Sequence, residues 1–154
     1  MITLRPYRDE DAPALLALFR DTIRRVNCRD YSPRQIAAWS SDDIDPIAWS
    51  ERFRGRFVVV AVAEERPVGF AELEPDGHID RMYVAADHQG EGIGGKLLGE
   101  ILAEAQCGGL RRLFVEASIT ARPFFERCGF VMLSEQVVIA RGVEFVNYRM
   151  ERVL

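Results

Sequence analysis

The sequence predicts an α/β (α+β) domain, a mixed and mostly antiparallel sheet of about seven strands with helices on both faces. Three observations lead there. Segments with apolar residues at helical spacing alternate with short β-branched runs along the 154 residues. Three such runs follow one another between Phe57 and Val84 with only turn residues between them, the pattern of consecutive antiparallel strands. A glycine-rich elbow from Gly90 to Gly95 then joins the last of them to an amphipathic helix.

Taken in order, Ile2 to Arg5 is a first strand, and the acidic residues Asp9 to Asp11 start a helix that runs to about Val26. Its apolar stripe is Ala12, Leu15, Leu16, Phe19, Ile23 and Val26. Ser32-Pro-Arg-Gln35 combines an N-cap, a first-turn proline and a capping box, so a second helix carries Ile36, Ala37 and Trp39. A short helical turn follows around Ile47 to Phe53. Phe57 to Ala63, Val68 to Leu73 and His78 to Val84 are strands, separated by Glu64-Glu-Arg-Pro67 and Pro75-Asp-Gly77. The glycine helix extends to about Cys107 and ends at Gly108-Gly109, before a strand from Leu110 to Ala117. A short helix from Ala121 to Cys128 stops at Gly129, and strands Phe130 to Ile139 and Val143 to Val153 close the chain around Ala140-Arg-Gly142. With 48% hydrophobic residues and no repeat or linker, residues 1–154 form a single domain able to bury a sizeable core.

The glycines are the chemical signal. A helix start stripped of side chains leaves backbone N–H groups and the positive dipole end open to an anion, so the ligand carries a phosphate or pyrophosphate. Spacing separates the candidate motifs. Gly90-x-Gly92-x-x-Gly95 fits a dinucleotide fingerprint, with Glu116 as a distant ribose-binding acid, but Ala85 to Gln89 intervene after the strand where that fingerprint wants glycine at once. Gly90 to Lys96 mimics a P-loop, yet Leu97 stands where a magnesium-binding Ser or Thr is required. A nucleotide triphosphatase is therefore disfavoured.

Charge and cysteine usage narrow the partners. A net charge of −4 argues against binding to nucleic acid or to an anionic membrane, which need a basic face. Cys28, Cys107 and Cys128 have neither metal-site nor redox spacing, and the two histidines are placed apart, so no metal and no disulfide framework are expected. No apolar run is long enough for a membrane span. The expectation is a soluble, cytoplasmic protein acting on a small molecule.

Gln89-Gly-Glu-Gly-Ile-Gly94 resembles the Gln/Arg-x-x-Gly-x-Gly/Ala signature of the GNAT superfamily of acyl-CoA-dependent N-acyltransferases. Ala121-Arg-Pro-Phe-Phe-Glu-Arg-Cys-Gly-Phe130 resembles the second family signature, Ala-x-x-Phe-Tyr-x-x-x-Gly-Phe, and the residues from Glu116 to Phe125 look most like the bacterial YafP-like branch. The resemblance spans nearly the whole chain. It implies a GNAT-like sheet whose strands carrying Tyr83 and Phe114 splay apart to form a wedge for acetyl-CoA (CoA) as cosubstrate. It further implies that the pyrophosphate lies on the amides of Gly90, Glu91, Gly92, Ile93, Gly94 and Gly95 beside Gln89. Pantetheine would then pair like an added strand near Met82, Tyr83 and Val84, with Ser118 and Phe125 nearby. Phe125 stands where many relatives carry a tyrosine that protonates the leaving thiolate, so that role is not carried over. Tyr83 and Tyr148 are weak substitutes. Ser118 stands where relatives often have asparagine.

The reaction so implied is an N-acetyltransfer by direct attack of a primary amine on the thioester. An alkylammonium with a pKa near 10.4 must first lose a proton, so a base is useful. By period two, His78, Asp80, Met82 and Val84 share one face of their strand, the face expected to run into the wedge. His78 is the first candidate, as a neutral imidazole of reference pKa near 6.5, and Asp80 is the second, as base or as an amine-orienting carboxylate. Beside the Pro75-Asp-Gly77 turn, His78 fits a polar edge residue about equally well, and Asp80 fits an ion pair. His88 in the elbow reads as solvated.

The amine acceptor, a small molecule or a peptide, is expected between the first strand and Phe57, with help from the last hairpin. Tyr31, Trp39 and Asn147 are the candidate contacts, with Asn27, Arg29, Trp49 and Tyr148 nearby, although Trp39 also shares its helix's apolar stripe. A non-catalytic acyl-CoA-binding module is the alternative, and a nucleotide-dependent oxidoreductase the third reading. The last two strands offer open edges, so monomer and homodimer both fit, and the charged Glu151 and Arg152 favour a monomer.

Overall fold

The computed structural model describes all of residues 1–154. Seven strands form one sheet: β1 (Ile2–Pro6), β2 (Phe57–Ala63), β3 (Arg66–Leu73), β4 (His78–Val84), β5 (Arg112–Ser118), β6 (Val131–Ala140) and β7 (Val143–Val153). Their order across it is β1-β2-β3-β4-β5-β7-β6. Every neighbouring pair is antiparallel except β4 and β5, which run parallel. The helices are α1 (Ala12–Arg25), α2 (Pro33–Trp39), α3 (Pro46–Glu51), α4 (Ile93–Cys107) and α5 (Arg122–Arg127).

The continuous apolar run of β2 has a plain cause, since that strand is buried on both faces. Val59 and Ala61 join a core under α4 with Leu97, Ile101, Leu113 and Phe125. Val58, Val60 and Val62 join a second core on the opposite face with Leu15, Phe19, Ile23, Trp49 and Phe70. Helices therefore cover both faces, α4 and α5 on one side and α1 to α3 on the other.

Local signals mostly act where expected. Ser32 and Gln35 form the reciprocal capping box, at 3.2 and 2.7 Å, and the Gln35 amide also donates to the carbonyl of Glu144 on β7. The acidic residues before α1 do something else. Asp9 to Asp11 form a short 3₁₀ turn, and Asp11, 5% exposed, takes a bidentate pair from Arg5 at 2.7 and 2.8 Å that ties β1 to the helix start. Strand β3 begins at Arg66, because Glu64 and Glu65 turn with positive φ and Pro67 sits in the strand at a register shift opposite Val62.

Two expectations are corrected. β7 is interior, between β5 and β6, so only β6 is an edge at that end of the sheet. Glu151 accepts from Arg112 at 2.8 Å and Arg152 donates to the Cys128 carbonyl at 2.9 Å, so neither charge guards an edge. The second correction concerns β4. Its partners on β3 step from Leu73↔Ile79 to Ala71↔Met82, which leaves Asp80 and Arg81 together opposite Glu72. This bulge breaks the period-two pattern. Ile79, Met82 and Val84 belong with the core under α4, whereas Tyr83 packs with the other core. His78 and Met82 therefore lie on opposite faces.

Candidate active site

β4 and β5 pair at only two positions, His78↔Phe114 and Ile79↔Val115, and then part, β4 toward the glycine elbow and β5 toward α5. A cleft of ≈ 1210 Å³ opens in the gap, reaching from Gly90 to Gly95 on one side to Trp39, Phe145 and Asn147 on the other. Backbone that would have paired across the sheet is thereby available to a ligand.

At the elbow, the Gln89 side chain donates to the Val84 carbonyl at 2.7 Å and folds the loop back on the strand end. Thr22 Oγ1 donates to the same carbonyl at 3.3 Å. Val84 thus has no free carbonyl to offer pantetheine, which alters the expected pairing at that residue. Gly92 is the N-cap of α4 with φ +80°, a left-handed conformation that turns the first amides of the helix outward. A Cβ on Gly94 would stand 3.0 Å from the Phe124 ring, so ring and helix start are fitted to each other. A pyrophosphate fits this cradle: uncapped amides, a helix of 15 residues behind them and no acidic residue in its first turn. Glu91 lies exposed in the loop, beside His88 at 3.3 Å.

The two expected acyl-side residues are less available than foreseen. Ser118 Oγ accepts from the Ala121 N–H at 3.0 Å and so holds the turn into α5. Phe125 is 3% exposed and packs edge-on against Phe124 and Phe130 as the floor of the cleft. Tyr83 lies edge-on to Phe19, and burial raises its phenol further above the usual range.

At the apex, where β4 and β5 part, lies a network of charges that the sequence did not reveal. Glu72, fully buried, receives both Arg81 and Arg56, and burial pushes its carboxyl up while the two guanidiniums pull against that. Arg81 in turn lies over the rings of Trp49 and Phe53, at 4.2 and 4.9 Å. Asp80 Oδ2 accepts from Arg52 at 2.7 Å and from Arg56 at 2.6 Å, leaving Oδ1 without a hydrogen bond. Burial opposes ionisation of Asp80, but the arginines outweigh it and hold its pKa below the ordinary range.

His78 is clamped on both nitrogens, Nε2 to Glu116 at 2.5 Å and Nδ1 to Glu74 at 2.6 Å, with its ring stacked on Phe114. Glu116 first, and Glu74 with it, raise His78 to about 9 against the cost of burial. The neutral imidazole expected for a base is therefore the minor form at neutral pH, and both ring nitrogens are already occupied. Four carboxylates (Glu72, Glu74, Asp80, Glu116) face three arginines and His78, so the cluster is neutral only when the imidazole is protonated. Glu74, His78 and Asp80 also bring ligand atoms within 4.8 Å of one another, but Arg52 and Arg56 fill the positive side of that group.

On the acceptor side, Tyr31 donates to the Val146 carbonyl at 2.8 Å and accepts from the Ile119 N–H at 2.9 Å, so its hydroxyl is already satisfied. Trp39 meets Tyr31 and Phe145 edge-on and forms an aromatic wall. Asn147 lines the cleft with its buried Oδ1 unpartnered. Trp49 donates to the Ala12 carbonyl at 3.0 Å and is core. Arg52, Arg56, Glu74 and Phe124 were not anticipated in the site, and Glu116 was offered by the sequence only as a distant ribose-binding acid. The Pro75-Asp-Gly77 turn sets Glu74 against His78, but nothing in the spacing of residues 52 and 116 relates them to residue 78. The lone outward Glu in the apolar β5 run was the one available hint.

Comparison with known proteins gives the site a family. The acetyltransferase (GNAT) domain model matches residues 27–152. The chain is 35% identical over 149 residues to the N-acetyltransferase YafP of Escherichia coli (strain K12), covering 97% of this chain and 94% of that protein. Among solved structures, a GCN5-related N-acetyltransferase from Rhodopseudomonas palustris superimposes with a TM-score of 0.94 at 35% identity, covering 99% of this chain and 95% of that one. The fold is also that of the PaiA N-acetyltransferase of Thermoplasma acidophilum solved with coenzyme A, with a TM-score of 0.77 at 20% identity over 100% of this chain and 99% of that one. Agreement across almost the full length, together with the splayed strands and glycine elbow, shows that the chain belongs to the GNAT family and is an N-acetyltransferase.

Proposed function

We propose that this N-acetyltransferase moves an acetyl group from acetyl-CoA to a primary amine of a small molecule or peptide by direct attack within the β4/β5 wedge. The observation that carries the reading is the arrangement of the cleft, an anion cradle at Gly90 to Gly95 on one side and carboxylates at the apex on the other. Pyrophosphate binds the α4 amides, and the acyl chain runs past Met82 and over Phe125. The amine enters from the α1 to α3 side, between Trp39, Asn147 and Asp80. Its nitrogen attacks the thioester carbon, the C–S bond breaks, and the thiolate of CoA leaves. The thiol pKa near 8.5 lets it depart without a dedicated acid, which suits the phenylalanine at 125.

Asp80 replaces His78 as the preferred base in this reading. It lines the cleft and keeps Oδ1 free, while His78 does not line the cleft and is held as an imidazolium. Asp80 takes the proton directly or through one water. The protein acts in the cytoplasm, a placement supported by three cysteines that form no disulfide.

Thiol release from acetyl-CoA across a panel of amines tests the reading. Asp80→Asn is expected to lower kcat/KM by about 10²–10⁴-fold with acetyl-CoA affinity retained, and the loss shrinks at high pH where the amine deprotonates unaided. Thiol release with no amine in the panel, or an Asp80→Asn enzyme with the parental pH profile, refutes it.

A further inference from the structure

We propose that Glu116 is the group that receives the ammonium of the acceptor, and that His78 is the residue that positions it. The inference rests on the amine reading above and specifies its acceptor subsite.

Glu116 stands one residue beyond the last β4–β5 bridge, Ile79↔Val115, at the point where the wedge begins. Its neighbours Val115 and Ala117 belong to the core under α4, so the alternation of the strand turns Glu116 to the opposite face, with His78, Phe114 and the acceptor side of the cleft. The four carboxylates of the apex are not equivalent. Glu72 has no exposure and holds two arginines. Glu74 is shared between His78 and Arg56. Asp80 has a side chain only 19% exposed and two arginines on one oxygen. Glu116 has a side chain 42% exposed, lines the cleft, has His78 as its sole ionic partner and carries no hydrogen bond on Oε1.

The positioning is equally specific. A glutamate has three rotatable bonds, and here Oε2 is pinned by His78 Nε2 while the other ring nitrogen is pinned by Glu74 and the ring lies on Phe114. Fixing Oε2 directs Oε1, so the ordering is done before an amine arrives. A cation arriving at Oε1 also competes with the imidazolium for the same carboxylate. The groups facing His78 are Glu74 from the β3–β4 turn, Asp80 from β4, itself held by Arg52 and Arg56, and Glu116 from β5. Linkage is reciprocal, so an ammonium bound at Glu116 makes His78 easier to deprotonate.

Three measurements on the full-length protein test this. Steady-state kinetics of Glu116→Gln with one good amine should show an amine KM raised by about 10–100-fold, the worth of a charged hydrogen bond, with the acetyl-CoA Kd changed less than about twofold. NMR titration of the His78 ring, assigned with His78→Gln and His88→Gln, should show its midpoint moving to lower pH when that amine saturates the CoA complex. His78→Gln should raise the amine KM less than Glu116→Gln does. The inference is overturned if Glu116→Gln weakens acetyl-CoA and amine alike, if it changes neither, or if His78 titrates identically with and without amine. A parental protein that turns over amines while Glu116→Gln behaves as the parent defeats this inference alone. A parental protein that neither turns over nor binds any amine in calorimetry defeats the amine reading and this inference together.

Discussion

His78 carries a carboxylate on each ring nitrogen, and that makes it a stabilising cation before it is anything else. Its folded pKa of about 9 lies above the ordinary 6.5, so its contribution to stability is fully present below about 6.5 and is lost as pH rises through about 9. Because Glu116 is partly solvated, screening reduces that contribution to on the order of 1–2 kcal/mol. Urea unfolding of the parent and of His78→Gln at pH 6 and pH 10 checks it. The gap between the two proteins should be wide at pH 6 and nearly closed at pH 10. Gly92 and Gly94 test the cradle instead. Gly92→Val forces a β-branched side chain into φ +80°, and Gly94→Leu drives into Phe124, so each should weaken CoA binding at least tenfold by calorimetry. A Gly92→Val protein that binds CoA as the parent does would show that the anion sits elsewhere.

At the scale of elements, the bulge in β4 decides which groups meet. An extra residue opposite Glu72 brings Asp80 and Arg81 to the same short stretch of strand, and the buried Glu72–Arg81 pair spans the bulge from β3 to β4. Removing one partner leaves an uncompensated charge in the core, where Arg81 is 5% exposed and Glu72 has no exposure. Glu72→Gln or Arg81→Met alone should therefore cost about 3–5 kcal/mol, while the double variant recovers part of the loss. Thermal unfolding of the three variants reads this directly. Equal and additive losses would mean that the bulge is held by its backbone alone. The parallel β4–β5 contact matters for the same reason. With only two bridged positions, it is supplemented at the apex by the His78–Glu116 hydrogen bond and by the Phe114 N–H donating to the Gly77 carbonyl at 3.0 Å.

For the whole molecule, the open question is the β6 edge. Val131, Met132, Leu133, Val137 and Ile139 are exposed there, and Glu135 is the single charge between Val131 and Ala140. Edges are normally covered or charged, and the closing pair Glu151 and Arg152 is engaged on β7 and cannot do it. Self-association that grows with concentration is the expected behaviour, in place of the monomer that the closing charges favoured. Light scattering over a dilution series checks it, and Val137→Lys should suppress the larger species without changing acetyl-CoA affinity. No helix is long and apolar enough to cross a membrane.

The order of elements, the helices on both faces of the sheet and the glycine elbow before α4 were legible in the chain itself, because each depends on residues close in sequence. Capping at Ser32 and Gln35, the doubly buried run of β2 and the glycines before α4 act within a few positions, and local propensity states them directly. The charged apex was not legible. Extrapolating a period of two from His78 to Val84 fails at a bulge that exists only because β3 and β4 are paired out of step opposite Glu72. The protonation state of His78 depends on Glu116, 38 residues away, which no spacing connects to it. The Tyr31 hydroxyl and Ser118 Oγ had the right chemistry for a site, but Val146, Ile119 and Ala121 take up their hydrogen bonds once the chain folds, and Phe125 offers only the ring it packs against Phe124 and Phe130 at the floor of the cleft. Sequence alone determined where main-chain amides lie open at a helix start, since that needs only the glycines and the first turn of α4. Tertiary structure decided which carboxylates keep an unpaired oxygen in the cleft, Asp80 and Glu116, since that depends on which charges the fold has already paired.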